Sequence, residues 1–440
     1  MSLLLILTLP VALASMPQEG STASPGGDVD DRLDFLEQRI RGLEEDRSRL
    51  ETELEAAMDA LAVGEVVGSV ATEVAGDDRT RAIWERLAQR TLAPRAAAVY
   101  SRDGISIGGY GEFLGEVIDE SDRDSFDALR WVMYLGSRFS DRWIFNSEIE
   151  IEHGSTDASS ATTDSRGSVS IEFAYLDHLL TDDVALRGGV LLVPLGFINE
   201  RHEPTTFLPS ARPETETRII PSTWRATGVG GYGQVGPFAW TAYALNGLNG
   251  EEFDENGLRG GRQKGNRASI ESIALAARLD YVDVPGLVLG LSAYTGDAGV
   301  NTPESLNTTI VDLHGEWNEG PWFLRGLFAM SDVTGTGAFN ARTGESLAEE
   351  MQGWYVEAGF DLLSLGTAPG EETLDLFVRY EDIDTQKTLA PGTAPGGGIV
   401  TSLTTVGLNY RPLNQVVLKA DYTFIDESND VARFLIGYAF

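Results

Sequence analysis

The chain contains no cysteine. That excludes a disulfide framework, a thiolate metal site and a lipid-modified N-terminal cysteine. Histidine is scarce as well, with four in 440 residues. Neither His178 nor His314 has an obvious serine partner in the sequence, and no H-E-x-x-H string occurs, so no enzyme, cofactor or metal centre is expected. Basic residues are few: 33 Lys and Arg stand against 68 Asp and Glu, for a net charge of −35. Such a surface repels phosphate backbones and makes nucleic acid an improbable partner. There is also no uninterrupted apolar run of the roughly 18 residues that a membrane-crossing helix needs.

What the sequence does have, from Gly104 onward, is alternation. The last stretch, residues 430–440, places Phe434, Ile436, Tyr438 and Phe440 on one face and Arg433, Gly437 and Ala439 on the other. An apolar strand edge of this kind is an aggregation hazard in water. It is tolerable if the first strand of the same sheet covers the edge and the apolar face meets lipid, because a bilayer admits a sheet only when it closes. Sixteen alternating segments can be read between 105 and 440 (among them 184–196, 269–282 and 372–382), joined by short and long connections in turn. An even strand count with turns at one end and loops at the other is the pattern of an outer-membrane barrel. The expected fold is an all-β transmembrane β-barrel of about 16 antiparallel strands over 104–440, preceded by an α-helical coiled coil.

The N-terminal part reads differently. Residues 1–14 are short, apolar and end in Ala12-Leu13-Ala14, the pattern of a secretory signal peptide. Residues 15–30 are a Ser/Gly/Pro-rich linker. Over 31–63 apolar residues recur every three to four positions (Leu33, Leu36, Ile40, Leu43, Leu50, Leu54, Leu61) with Glu and Arg on the flanks, which predicts a periplasmic coiled coil or a single solvated helix. Residues 64–103 are expected to form a helical connector.

Strand phase assigns the pore wall. The inward set comprises Glu112, Arg130, Arg138, Glu148, Glu150, Glu152, Arg278, Asp312, Glu316, Arg325, Glu357, Asp375, Arg379 and Glu381. Facing rows of opposite charge set a transverse field in a pore, and an excess of acids favours cations; the same residues also suit a simply solvated lumen. A metal reading of Glu148, Glu150 and Glu152 fails on spacing, since alternate strand residues lie about 7 Å apart. The connection 197–223 carries four prolines and offers Arg201, His202, Glu203, Arg212 and Arg218. A loop this long has a function as a rule. Folded inward it would constrict the barrel; the alternative is an extracellular cap or a subunit contact.

Several strings carry a family likeness: Gly108-Gly-Tyr-Gly-Glu112-Phe113, Ile149-Glu-Ile-Glu-His153-Gly154, and Gly188-Gly-Val-Leu-Leu-Val-Pro194-Leu-Gly196-Phe-Ile-Asn199. His202-Glu-Pro204, Pro221-Ser-Thr-Trp224 and the terminal Phe440 follow. Over 104–440 the chain resembles the phosphate-selective porin O/P family. The resemblance implies a sixteen-stranded homotrimeric channel whose third extracellular loop, here 197–223, folds inward, with a periplasmic coiled coil such as 31–63. The chain lacks that family's basic lumen ladder, so phosphate selectivity is not carried over. The expectation is a porin in the outer membrane of a diderm bacterium, surrounded by lipid and passing small hydrophilic solutes or ions. A structural protein tethering the membrane to the cell wall through its coiled coil is the alternative, and a surface receptor using the long loops is a third class.

Overall fold

The computed structural model describes residues 104–121, 123–157, 167–181, 183–299, 302–366, 372–426 and 428–440. The expected signal peptide (1–14), linker (15–30), coiled coil (31–63) and connector (64–103) lie outside the described residues.

Sixteen strands follow in chain order: β1 (Gly104–Ile118), β2 (Ser125–Arg138), β3 (Trp143–Glu152), β4 (Val169–Leu179), β5 (Val184–Leu192), β6 (Arg225–Val235), β7 (Phe238–Asn246) and β8 (Ile273–Tyr281). Then come β9 (Leu287–Asp297), β10 (Asn307–Glu319), β11 (Trp322–Val333), β12 (Glu350–Asp361), β13 (Thr373–Thr388), β14 (Val400–Leu413), β15 (Val416–Ile425) and β16 (Val431–Ala439). Each pairs antiparallel with its sequence neighbours, and β1 pairs with β16, so the sheet is a closed barrel. The seam runs in register from Tyr110↔Ala439 to Ile118↔Val431. Gly109 and Phe440 extend it by exchanging two backbone hydrogen bonds of 2.9 Å. With the edges joined, every strand has a hydrogen-bonded neighbour on both sides and the sheet has no free edge strand, as lipid requires.

Alternation explains the two faces. On β10 the odd positions Val311, Leu313 and Trp317 are exposed, while Ile310, Asp312 and His314 are buried. On β16 Phe434, Ile436 and Phe440 point out and Leu435 is buried. Aromatic pairs gather where the short turns lie: Trp143 with His178, Phe238 with Tyr281, and Trp322 with Phe360, at centroid distances of 4.3, 5.8 and 4.7 Å. Amphipathic rings at that height form an interfacial girdle. At the seam the absence of a side chain on Gly111 leaves room for the Tyr438 ring, whose nearest atom would lie 2.6 Å from a Cβ there.

Three strand boundaries differ from the sequence reading by four residues or more, each for a local reason. β5 stops at Leu192 and not at 196, because Pro194 cannot donate to a ladder and the Val193 N–H instead bonds the Trp224 carbonyl at 3.0 Å. β8 starts at Ile273 and not at 269, since the N–H of Ser269 is taken by the Gln263 side chain at 2.8 Å. β13 runs on to Thr388, past 382, because Ile383 and Thr385 continue the buried phase at 1% and 0% exposure.

The larger difference is inside. The inner face is not uniformly charged: Tyr110, Val132, Tyr134, Phe173, Tyr175, Tyr243, Tyr294, Leu327 and Tyr355 also point inward and are buried. They pack with residues of the long connections, including Leu195, Phe197, Ile219, Ile220, Trp224, Leu248 and Phe253. Each such side chain contributes about 1.5–3 kcal/mol through burial. The barrel thus has a core in its lumen.

Candidate functional site

That core is built around one segment, residues 193–224, the third connection at the loop end (L3). Its two ends are held together by Asn199. The side-chain amide donates to the carbonyls of Val193 at 2.7 Å and Trp224 at 2.8 Å, while its oxygen accepts from the Trp224 N–H. Beyond this clamp the chain enters the barrel. A single helical turn, α1 (Thr215–Arg218), brings Glu216 back beneath the entering strand. The fully buried carboxylate of Glu216 accepts from the N–H groups of Phe197 and Ile198 and from the Tyr355 hydroxyl, each at 2.7 Å.

L3 touches wall strands from β8 round through the seam to β3. On one side His202 meets Glu148 of β3 at 3.2 Å, and the Tyr134 hydroxyl of β2 donates to Glu203 at 3.2 Å. On another, the Gly196 N–H donates to Asp312 of β10 at 3.1 Å, and the Arg278 guanidinium of β8 donates to the Gly196 carbonyl. Arg325 of β11 donates to the Thr206 carbonyl at 2.9 Å, and Arg379 of β13 to that of Ala211 at 3.1 Å. The far wall holds the tip. Lys419 of β15 donates to the carbonyls of Phe207 and Pro209 at 2.8 Å each, its ammonium 3.9 Å from the Phe207 ring centroid. Asp421 accepts from the Ser210 N–H at 2.7 Å, and Asn409 of β14 donates to the Leu208 carbonyl at 2.9 Å. Gly437 of β16 admits Pro204, whose Cβ would lie 2.7 Å from an added methyl group.

The inward charges named from the sequence are therefore engaged with each other and with L3. Arg130 pairs with Glu112, with Glu150 at 3.0 Å and with Glu152 at 3.9 Å. Arg278 pairs with Asp280 at 2.7 Å, Arg325 with Glu316 at 2.6 Å, and Arg379 with Glu381 at 2.8 Å and Glu357 at 3.6 Å. Arg201 reaches Glu316 at 3.4 Å. Asp375 is buried near the turn end, where it shares a cavity of about 360 Å³ with Arg411, Arg201 and Thr205. Arg138 stands apart, at the turn end of β2 with Asp141 at 3.1 Å. Arg212 and Arg218 serve the loop itself: Arg212 bonds the His202 carbonyl and the Thr223 hydroxyl at 3.1 and 2.9 Å, and Arg218 bonds Glu214 at 2.8 Å.

Sequence reasoning missed Asp280, Ser292, Asn409 and Glu216. Asp280 and Asp312 hold the His314 ring between them at 2.8 and 2.6 Å, and the Ser292 hydroxyl donates to Asp312. Ser292 and Asn409 lie on the inward phase of β9 and β14, so alternation could have found them. Glu216 lies in a loop and leaves no periodic signal. The Ser–Asp–His grouping is sealed, with Ser292 1% and His314 5% exposed; it anchors L3 and presents no nucleophile. A Gly-x-Ser-x-Gly string does occur, Gly104-Ile105-Ser106-Ile107-Gly108, but it lies within strand β1 and not on the strand-to-helix turn that a nucleophile elbow needs.

Electrostatics inside L3 predict a pH response. Burial opposes protonation of His202, yet the Glu148 carboxylate holds its imidazole above the ordinary value, with Glu203 adding to this and Arg212 opposing it. The protonated pair contributes its full stabilisation below the unfolded imidazole value of about 6.5 and loses it as pH rises through the folded value. Protection of the L3 amides against hydrogen exchange is expected to fall as pH rises from below about 6.5 through the folded value. His202→Gln should show the lower protection at every pH; protection independent of pH in the wild-type protein would contradict this.

A closed sixteen-stranded antiparallel barrel with an apolar outer belt and a loop seated in its lumen defines a transmembrane barrel of the porin type. The solved structures that share this architecture agree. Salmonella typhi OmpF in complex with daunomycin matches with a TM-score of 0.52 at 12% identity, over 76% of this chain and 97% of that one. An anion-selective porin from Comamonas acidovorans matches at 0.50 and 12%, over 77% and 100%. No family model matches the chain. In sequence it is 33% identical over 372 residues to an uncharacterized protein of Aquifex aeolicus, covering 79% of this chain and 83% of that one. The chain belongs to the same family as that Aquifex aeolicus protein.

Proposed function

We propose that the protein is an outer-membrane porin giving passive diffusion of small hydrophilic solutes or ions, with L3 as its constriction. The observation that carries this reading is the seating of L3 across a closed barrel by hydrogen bonds to strands β2, β3, β8 and β10–β15. It leaves one cavity of about 660 Å³ on the loop side and one of about 360 Å³ on the turn side. A solute passing between them meets Arg201, Thr205, Glu316 and Arg325. Because the acids along the wall are paired with neighbouring arginines or histidines or bonded to L3, selectivity follows from this short polar passage and not from the net charge of the chain. The fold is shared with an anion-selective porin, and the short strings named above tie it to the phosphate-selective porin O/P resemblance. Neither brings a basic ladder to this lumen, and a narrow channel of weak ion preference is the reading that fits.

Assembly as a homotrimer, with the coiled coil of 31–63 in the periplasm and a signal peptide at 1–14, completes the proposal. A second role, tethering the membrane to the cell wall through that coiled coil, is compatible with the same barrel. Planar-bilayer recordings of the purified protein test the channel reading. Discrete steps of small conductance, in groups of three for a trimer, are expected, with a reversal potential near zero in a KCl gradient. Well-folded protein without conductance would refute the porin reading and leave the tether.

A further inference from the structure

The cavity on the loop side has a chemistry that passive diffusion does not use. It lies where the β4–β5 ladder stops at Ala174↔Val190, although β4 itself begins at Val169. The upper part of β4 is thus paired on one side only, and the connection 247–272 (L4) lies across the gap. Gly265 of L4 rests against Val190 and Thr227. L4 is held in shape by Gln263, which donates to the Gly247 carbonyl and accepts from the Ser269 N–H at 2.8 Å each.

Five cations and three carboxylates line the cavity. All three carboxylates are already matched: Glu172 with Arg225, and Glu150 and Glu152 with Arg130. The three cations of L4 are not. Arg262 donates only to the carbonyls of Arg259, Pro221 and Thr223, and no described carboxylate forms an ion pair with Arg259, Arg262 or Lys264. A buried guanidinium nitrogen of Arg259 has no hydrogen-bond partner among the described residues, nor has the Nε of Arg225. These cations repel each other. Burial and the guanidiniums of Arg262, Arg212 and Arg218 push Arg259 down to about 9, and burial with Arg225 pushes Arg262 down to about 10. An arriving dianion would satisfy the free donors and relieve that repulsion.

We propose that this cavity binds a phosphomonoester group, carried on a lipid headgroup or free in solution. The lipid source is favoured by what borders the cations. Val169 and Ile171, exposed by 60% and 52% on the outer side of β4, line the same cavity together with Val190. Charged donors directly above an apolar, outward-facing strand edge match an amphiphile at the bilayer surface.

Isothermal titration of the full-length, detergent-solubilised protein with three probes tests this: short-chain phosphatidic acid, short-chain phosphatidylcholine and inorganic phosphate. The variant is R259Q/K264Q, which spares Arg262 because that residue also holds the Thr223 carbonyl. Its folding is checked by heat-modifiable migration on gels. Phosphatidic acid is expected to bind about tenfold more tightly than the other two probes and to lose about tenfold in the variant, the loss of one to two charge-assisted hydrogen bonds. Inorganic phosphate binding as tightly as phosphatidic acid, and weakened equally by the variant, would uphold the site and assign it to the free anion. No binding of either phosphate probe, or equal binding by the folded variant, would overturn it.

Discussion

Glu216→Ala is expected to raise single-channel conductance several-fold in bursts. The substitution removes the acceptor of three buried donors, the N–H groups of Phe197 and Ile198 and the Tyr355 hydroxyl. Each unsatisfied donor costs about 1–3 kcal/mol, so the seated state of L3 loses on the order of 3 kcal/mol or more. The barrel wall loses little, because its ladders do not depend on Glu216. The cost falls on the seated position of the loop, so the equilibrium shifts towards any opening in which those donors reach water. Phe207, Leu208, Ile219 and Ile220 remain buried apolar anchors, so the loop should return repeatedly, and the signature is flicker between two levels. Replacing 200–218 by a short Gly-Ser linker should hold the upper level permanently. If neither change alters conductance, solute does not pass L3 and the constriction is elsewhere.

The second large effect is on stability. Asp177→Ala is expected to cost about 3–5 kcal/mol, the usual result of stranding one charge of a buried pair. Arg187 donates two hydrogen bonds to Asp177, at 2.7 and 2.8 Å, and its guanidinium lies between the rings of Tyr175 and Tyr232, 3.8 and 4.4 Å from their centroids. The Tyr232 hydroxyl also donates to Asp177 at 2.8 Å. These bonds run along β4, β5 and β6, so their loss loosens the wall. The double variant Arg187→Met with Asp177→Leu should recover much of the loss, since no charge is then left unpaired in an apolar setting. Urea titration followed by heat-modifiable migration measures both. Equal destabilisation by the single and the double variant would mean that shape, not charge, matters at this position. Conductance of the folded fraction should be unchanged, which separates this variant from Glu216→Ala.

The barrel was legible in the sequence because its physics is local and repetitive. Period-two alternation in strings such as Trp143–Glu152 and Thr373–Glu381 decides which face meets lipid, and the contrast of short turns with long loops decides the topology. Boundaries moved where a residue such as Pro194 or Gln263 overrode the pattern, and at β13 where the alternation simply ran on. The inward phase of Glu148, Asp312 and Arg379 was equally visible. What those residues do was not visible, because it depends on what fills the lumen. A row of acids reads the same whether it faces water or the backbone of a returning loop. His202 was singled out from composition, yet its partner Glu148 lies 54 residues away in sequence. The Lys419 partners Phe207 and Pro209 lie 212 and 210 residues away. No periodicity encodes such pairs.

The Asn199 clamp has a thermodynamic meaning of its own. By joining the two ends of L3 it turns the intervening chain into a ligand tied to its own receptor, with carbonyls as its binding groups and the wall cations as the receptor. A tethered ligand of this kind competes at an effective concentration on the order of millimolar. A free solute that seeks Lys419, Arg325 or Arg379 must outcompete carbonyls already waiting beside them. Weak, dilute solutes that reach those cations cannot hold them for long.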